Sequence, residues 1–123
     1  MSSEDIKEEI PVRYIKDSVV YVFRGDIDTE LASDMEEKFI TEISRGNNIV
    51  FDLSSVKYVN SRFVSILVGL FRNTAEAGKE LIILRPSQFV YETLYNMGLF
   101  NKVRAFISEE ALVEHLESPE GRK

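Results

Sequence analysis

Ser61 stands where an apolar, strand-type run ending at Asp52-Leu53 passes through a polar stretch into a helix-type run that begins SRFVSILVG. The carboxyl end of a strand meeting the amino end of a helix collects unpaired backbone N–H groups and the positive end of a helix dipole. It therefore suits a negative group such as phosphate. The plain reading of a serine at that place is a helix cap, contributing about 0.5–2 kcal/mol. Asp26 and Asp28 follow the preceding strand-type run. Two carboxylates with no third oxygen or nitrogen donor in view make a weak cation site, so loop capping is the favoured reading and no metal is expected. His115, among Glu114 and Glu117, reads as an exposed helical residue without a catalytic role. There is no cysteine, which removes disulfides, thiolate catalysis and cysteine metal sites. No nucleophile elbow, glycine-rich phosphate loop or His-based triad occurs, so no catalytic residue and no cofactor is assigned.

The elements that must hold these residues follow from periodicity. Pro11 to Arg24 reads as two strands around an Asp17-Ser18 turn, the second carrying Val19, Val20, Tyr21, Val22 and Phe23. Thr29 to Arg45 reads as one amphipathic helix with Ala32, Met35, Phe39 and Ile43 on its apolar stripe, stopped by Gly46. A short strand, Asn48 to Leu53, precedes a helix over Ser61 to Ala77 closed by Gly78. Leu81 to Leu84 is a continuous apolar run suited to a central strand covered on both faces. Ser87 caps a third helix that stops at Gly98, and Val103 to Ile107 is a last strand. Ser108 then caps a terminal helix with Glu109 and Glu110 in its first turn. The order predicts a single α/β domain, a small mixed sheet of about five strands with about four helices and right-handed crossovers. In such sheets sites gather at the carboxyl ends of parallel strands, which makes Asp26, Asp28 and Ser61 expected neighbours.

At 123 residues and 44% apolar content the chain is one domain with room for a real core. Residues 1–9 and 118–123 are charged or Pro/Gly-punctuated and read as flexible ends around a domain at 10–117. The formal charge of -6, with no basic stripe, argues against direct nucleic-acid binding. The amino terminus lacks the pattern of a secretory signal, and no apolar run approaches the ~18–20 residues needed to cross a bilayer; a cytoplasmic protein without membrane attachment is expected.

Gly25-Asp26-Ile27-Asp28, Asp52-Leu53-Ser54, Val59-Asn60-Ser61 opening a helix with Ser65-Ile66-Leu67-Val68-Gly69-Leu70, and Gly78-Lys79-Glu80-Leu81 occur in that order. Together they resemble the STAS domain of bacterial anti-sigma factor antagonists, over about residues 10 to 117. The resemblance implies partner switching. The antagonist binds an anti-sigma factor that is also a serine kinase, the sigma factor is released, phosphorylation of one serine breaks the complex, and a phosphatase restores it. The family motif runs acidic residue, accepting serine, hydroxyl residue, glycine. Here those positions are Asn60, Ser61, Arg62 and Phe63, so the acceptor carries over onto Ser61, with Asp28 at a family acidic position beside it.

Asn60 keeps the shape of aspartate and its capping ability but not its charge. Arg62 places a cation able to bond a phosphate on Ser61 or to pair with Asp28. Phe63 either blocks a partner's backbone or offers an apolar anchor. The expected partner surface is Asp26, Asp28, Asn60, Ser61, Arg62, Phe63 and Ser65. Arg62, Phe63 and Arg72 are expected at the surface, whereas Ser61, Ser65 and Gly69, spaced by four, read as a face packed tightly on the sheet in preference to a docking groove. Tyr91 and Tyr95 read as half-buried packing residues. A phosphorylation-independent scaffold or accessory module of the same fold is the alternative function. An aspartyl-phosphate receiver with Asp52 as acceptor is disfavoured, because the first strand carries no acidic pair and the last ends without lysine. Oligomeric state, sigma factor, kinase and phosphatase stay open.

Overall fold

The structure is a computed structural model, and it describes residues 10–118 apart from residue 28. The ends at 1–9 and 119–123, and the Asp28 carboxylate, lie outside the described residues. The strands are β1 (Val12–Ile15), β2 (Ser18–Asp26), β3 (Asn48–Tyr58), β4 (Leu81–Leu84) and β5 (Arg104–Phe106). The helices are α1 (Thr29–Asp34), α2 (Glu36–Ser44), α3 (Ser61–Glu76), α4 (Gln88–Asn96) and α5 (Glu109–Glu117), with a 3-10 turn at Leu99–Asn101.

The strands lie in the order β1-β2-β3-β4-β5, with β1 antiparallel to β2 and every other pair parallel. This is the mixed α/β sheet that the order of elements predicts. Strand alternation sends Tyr21, Phe23, Phe51, Leu53 and Ile83 to one face, where they meet Met35 from the turn between α1 and α2 and Phe39, Phe63, Leu67, Val90 and Leu94 from α2–α4. Val20, Val50, Ile82 and Leu84 point the other way and meet Leu112 and Leu116 of α5. Among the described residues the helices are therefore split unequally, with α5 alone on its face.

Two elements differ most from their expected extents. The helix expected over Thr29 to Arg45 is broken at Met35, whose backbone sits at φ -89° and ψ 0° and whose N–H donates to the Ala32 carbonyl, three residues back. That tighter turn interrupts the α ladder, yet Ala32, Met35, Phe39 and Ile43 all remain buried, as their spacing predicts. The third strand runs on to Tyr58 instead of stopping near Leu53. Its polar extension is held by pairing with β2 through register shifts between Val22 and Arg24 and between Gly25 and Asp26. Gly25 has a φ of 62°, a conformation in which a bulged strand favours glycine. Beyond Leu53 the buried strand residue is Val56, so the extension carries little apolar signal.

Candidate functional site

The extension of β3 sets where α3 begins. Tyr58 pairs with Asp26 at the end of β2, and two residues, Val59 and Asn60, then lead into the helix. Backbone register thus brings the last residue of β2 to within a few residues of Ser61 at the carboxyl edge of the sheet.

Asn60, not Ser61, is the cap of α3. Its backbone is extended at φ -116° and ψ 174°, and its side-chain oxygen accepts the Phe63 N–H at 2.8 Å. The cap reading of Ser61 is corrected accordingly: Ser61 is the first helical residue, and it is exposed. The helix behind it has 16 residues and no acidic side chain in its first turn, so its positive end carries no internal carboxylate.

Phe63 is corrected from surface anchor to core. It is 0% exposed, with its ring centroid 6.0 Å from those of both Phe23 and Phe51. Its position three residues after the cap turns it onto the sheet, beside Val64 and Leu67. Arg62, the neighbour on the outer side, is exposed and makes no ion pair with a described residue. The line Ser61, Ser65 and Gly69 also reverses its expected facing. All three are exposed, and a methyl group built on Gly69 would meet nothing within 4 Å. The tight packing on the sheet is made instead by Phe63, Leu67 and Leu70. Arg72, one turn beyond Gly69, is exposed as expected.

Asp26 occupies the last position of β2. Among the described residues no group of three potential metal ligands occurs, and no helix is long and apolar enough to cross a membrane. Sequence reasoning gave Arg24 and Lys57 no place beside Ser61; both are exposed, Arg24 near the end of β2 and Lys57 in the extension of β3. Cations in a polar stretch give no periodic signal of their own, and the strand pairing is what brings them to this edge.

Asp52 faces the α5 side and is 2% exposed. One carboxylate oxygen accepts the Ser54 N–H at 2.9 Å, and the other lies 3.6 Å from the Arg85 guanidinium. Arg85 also donates to the Ser54 hydroxyl, and it holds a left-handed backbone at φ 53°. This enclosed carboxylate, engaged by its neighbours, is a structural tie. Nearby, Arg13 donates to Glu109 at 2.7 Å and holds that carboxyl below the usual carboxylate range. His115 is corrected from exposed to packed. Its side chain is 8% exposed, with Nε2 2.8 Å from a Glu80 oxygen and its ring against Phe106. Tyr91 and Tyr95 are corrected in the opposite direction, from half-buried to exposed, at 41% and 62%.

Comparison with known proteins gives a consistent picture. The family model described as the STAS domain matches residues 9–112. The TM1081 protein of Thermotoga maritima, solved as a candidate anti-sigma factor antagonist, superposes with a TM-score of 0.79 at 19% identity, covering 89% of this chain and 95% of its own. The anti-sigma factor antagonist SpoIIAA in its unphosphorylated form gives 0.72 at 18% identity over 89% of this chain and 99% of that one. The Bacillus cell-fate determinant SpoIIAA in its phosphorylated form gives 0.68 at 19% identity over 89% and 100%. At these identities the superpositions speak for the fold.

Proposed function

The chain belongs to the STAS domain family, and from that footing we propose that it is an anti-sigma factor antagonist, a binding module and kinase substrate with no chemistry of its own. It engages an anti-sigma factor with serine kinase activity and so frees a sigma factor in the cytoplasm, without binding nucleic acid itself. The observation that carries the reading is the exposed Ser61 hydroxyl at the start of α3, relieved of capping by Asn60. In the proposed step the kinase transfers the γ-phosphoryl group of ATP to Ser61 Oγ, ADP leaves, and the serine proton passes to a base of the kinase. The added charge of about -1.5 to -2 sits at a favourable helix end while opposing an acidic partner surface. A phosphatase reverses the modification by hydrolysis. Asn60, Ser61, Arg62 and Ser65 supply the exposed contact surface, with Asp26 and Asp28 assigned to its border; Phe63 supports it from below.

Solved forms of a structural relative described as unphosphorylated and phosphorylated support a switch of this kind. The exposed Arg62, where the family pattern has a small hydroxyl, favours a second reading, a scaffold that binds without phosphorylation. Capture from native-host lysate with ADP, using wild-type and Ser61→Glu baits side by side, separates the two. Recovery of a kinase-type anti-sigma factor by wild type alone is the expected result, and equal recovery by both baits overturns the switch in favour of the scaffold.

A further inference from the structure

A groove at the far edge of the sheet, separate from the α3 site, is built to take a strand. Among the described residues β5 ends the strand order and is paired on one side, to β4. The Phe106 carbonyl accepts the Arg85 N–H at 2.7 Å, so the Phe106 polar groups face β4. Because successive residues of a strand alternate, the N–H and C=O of Ala105 face outward. Along that edge lies an open groove of about 270 Å³ lined by Tyr91, Phe100, Val103, Arg104, Ala105 and Phe106. One wall is aromatic: Tyr91 stacks on Phe100 at 4.7 Å, and Tyr95 continues the stack at 6.3 Å from Tyr91. The groove straddles the edge, since Ala105 packs with the core under α1–α4 and Phe106 with the core under α5.

The charge of the groove runs against that of the molecule. In a chain of formal charge -6, its charged lining residue is Arg104, whose side chain is 64% exposed and whose Nε is 3.8 Å from Glu80. We propose that the β5 edge binds an extended segment of a partner protein by strand addition, the segment carrying apolar side chains alternating with acidic ones. The outward Ala105 groups supply main-chain hydrogen bonds, the Tyr91–Phe100 wall takes the apolar side chains, and Arg104 on the other face of the sheet takes the acidic ones.

The probe is a fluorescein-labelled synthetic peptide of alternating Val and Glu, titrated with the full chain and followed by anisotropy. An alternating Val/Lys peptide and a Val/Glu peptide of the same composition arranged in blocks serve as comparisons. Ala105→Pro removes the outward N–H while leaving the β4 pairing its donors, as proline on an edge strand allows. Roughly tenfold weaker binding is expected from it. Arg104→Glu is expected to reverse the preference toward the Val/Lys peptide, and Tyr91→Ser to weaken both. Circular dichroism and Tm confirm that each variant is folded. Absence of saturable binding, equal binding of the block peptide, or indifference to Ala105→Pro overturns the proposal. Sedimentation showing a dimer that Ala105→Pro dissolves would instead make a second copy of this chain the occupant. None of these readings depends on Ser61.

Discussion

At the scale of single residues, Asn60, Ser61 and Phe63 divide three tasks that adjoin in sequence. Asn60 closes the helix end, Ser61 faces solvent, and Phe63 fills the core. Asn60→Ala is expected to lower unfolding stability by about 1 kcal/mol. Ser61→Ala should stay within about 0.5 kcal/mol of wild type in the same urea titration. A larger loss at Ser61 than at Asn60 would reverse the assignment of the cap. Phe63→Gly restores the residue type of the family motif but removes a ring packed against Phe23 and Phe51. It should cost at least about 3–5 kcal/mol, read as a sharply lowered urea midpoint. Arg85 presents a two-sided test, because its left-handed backbone favours glycine while its guanidinium engages Asp52. Arg85→Gly should exceed Arg85→Ala in stability by about 1 kcal/mol, both variants having lost the same tie.

Elements are set by how their ends are closed and by what covers them. Gly78, at φ 72°, ends α3 with the Lys79 N–H on the Thr74 carbonyl at 2.7 Å and the Gly78 N–H on the Ala75 carbonyl at 3.1 Å. That paired closure is what the glycine after Ala77 predicts. The terminal helix is fastened differently, by Arg13–Glu109 at 2.7 Å, Lys16–Glu117 at 2.6 Å and His115–Glu80 at 2.8 Å. Glu109 is depressed below the usual carboxylate range by its hydrogen bond with Arg13. Its contribution is therefore present above the ordinary carboxyl value and is lost as pH falls through the lowered folded-state value. Glu109→Gln should destabilise at neutral pH by less than about 1 kcal/mol, since both partners are half exposed. The difference from wild type should vanish in strong acid, and urea titrations across pH would show it. A difference that grew with acidity would contradict the assignment.

The whole molecule rests on two cores of unequal size. The face under α1–α4 holds an aromatic cluster in which Phe51 lies 4.8 Å from Phe23 and 5.3 Å from Phe39. The other face relies on Leu112 and Leu116 beneath ion pairs that salt screens. Amide exchange should therefore open α5 before β3 and β4, with added salt raising exchange in α5 selectively. Uniform protection across α5 and β3 would show that the small core is as firmly closed as the large one.

The amino-acid sequence by itself determined the order of strands and helices, because each is marked locally: the β-branched runs at Val19 to Phe23 and Leu81 to Leu84, the caps Ser87 and Ser108, and the glycine stops. It also marked Ser61 as the opening of α3. What tertiary structure decided is which way residues face when their local pattern is ambiguous. Ser61, Ser65 and Gly69 could pack or face water, and they face water because Phe63, Leu67 and Leu70 occupy the sheet side. His115 has charged neighbours in sequence and a packed place in space, because Glu80 and Phe106 come to it from 35 and 9 residues away along the chain. The strand from Leu53 to Tyr58 exists because β2 supplies its hydrogen bonds, and pairing across 30 residues or more leaves no mark in a polar segment's own composition.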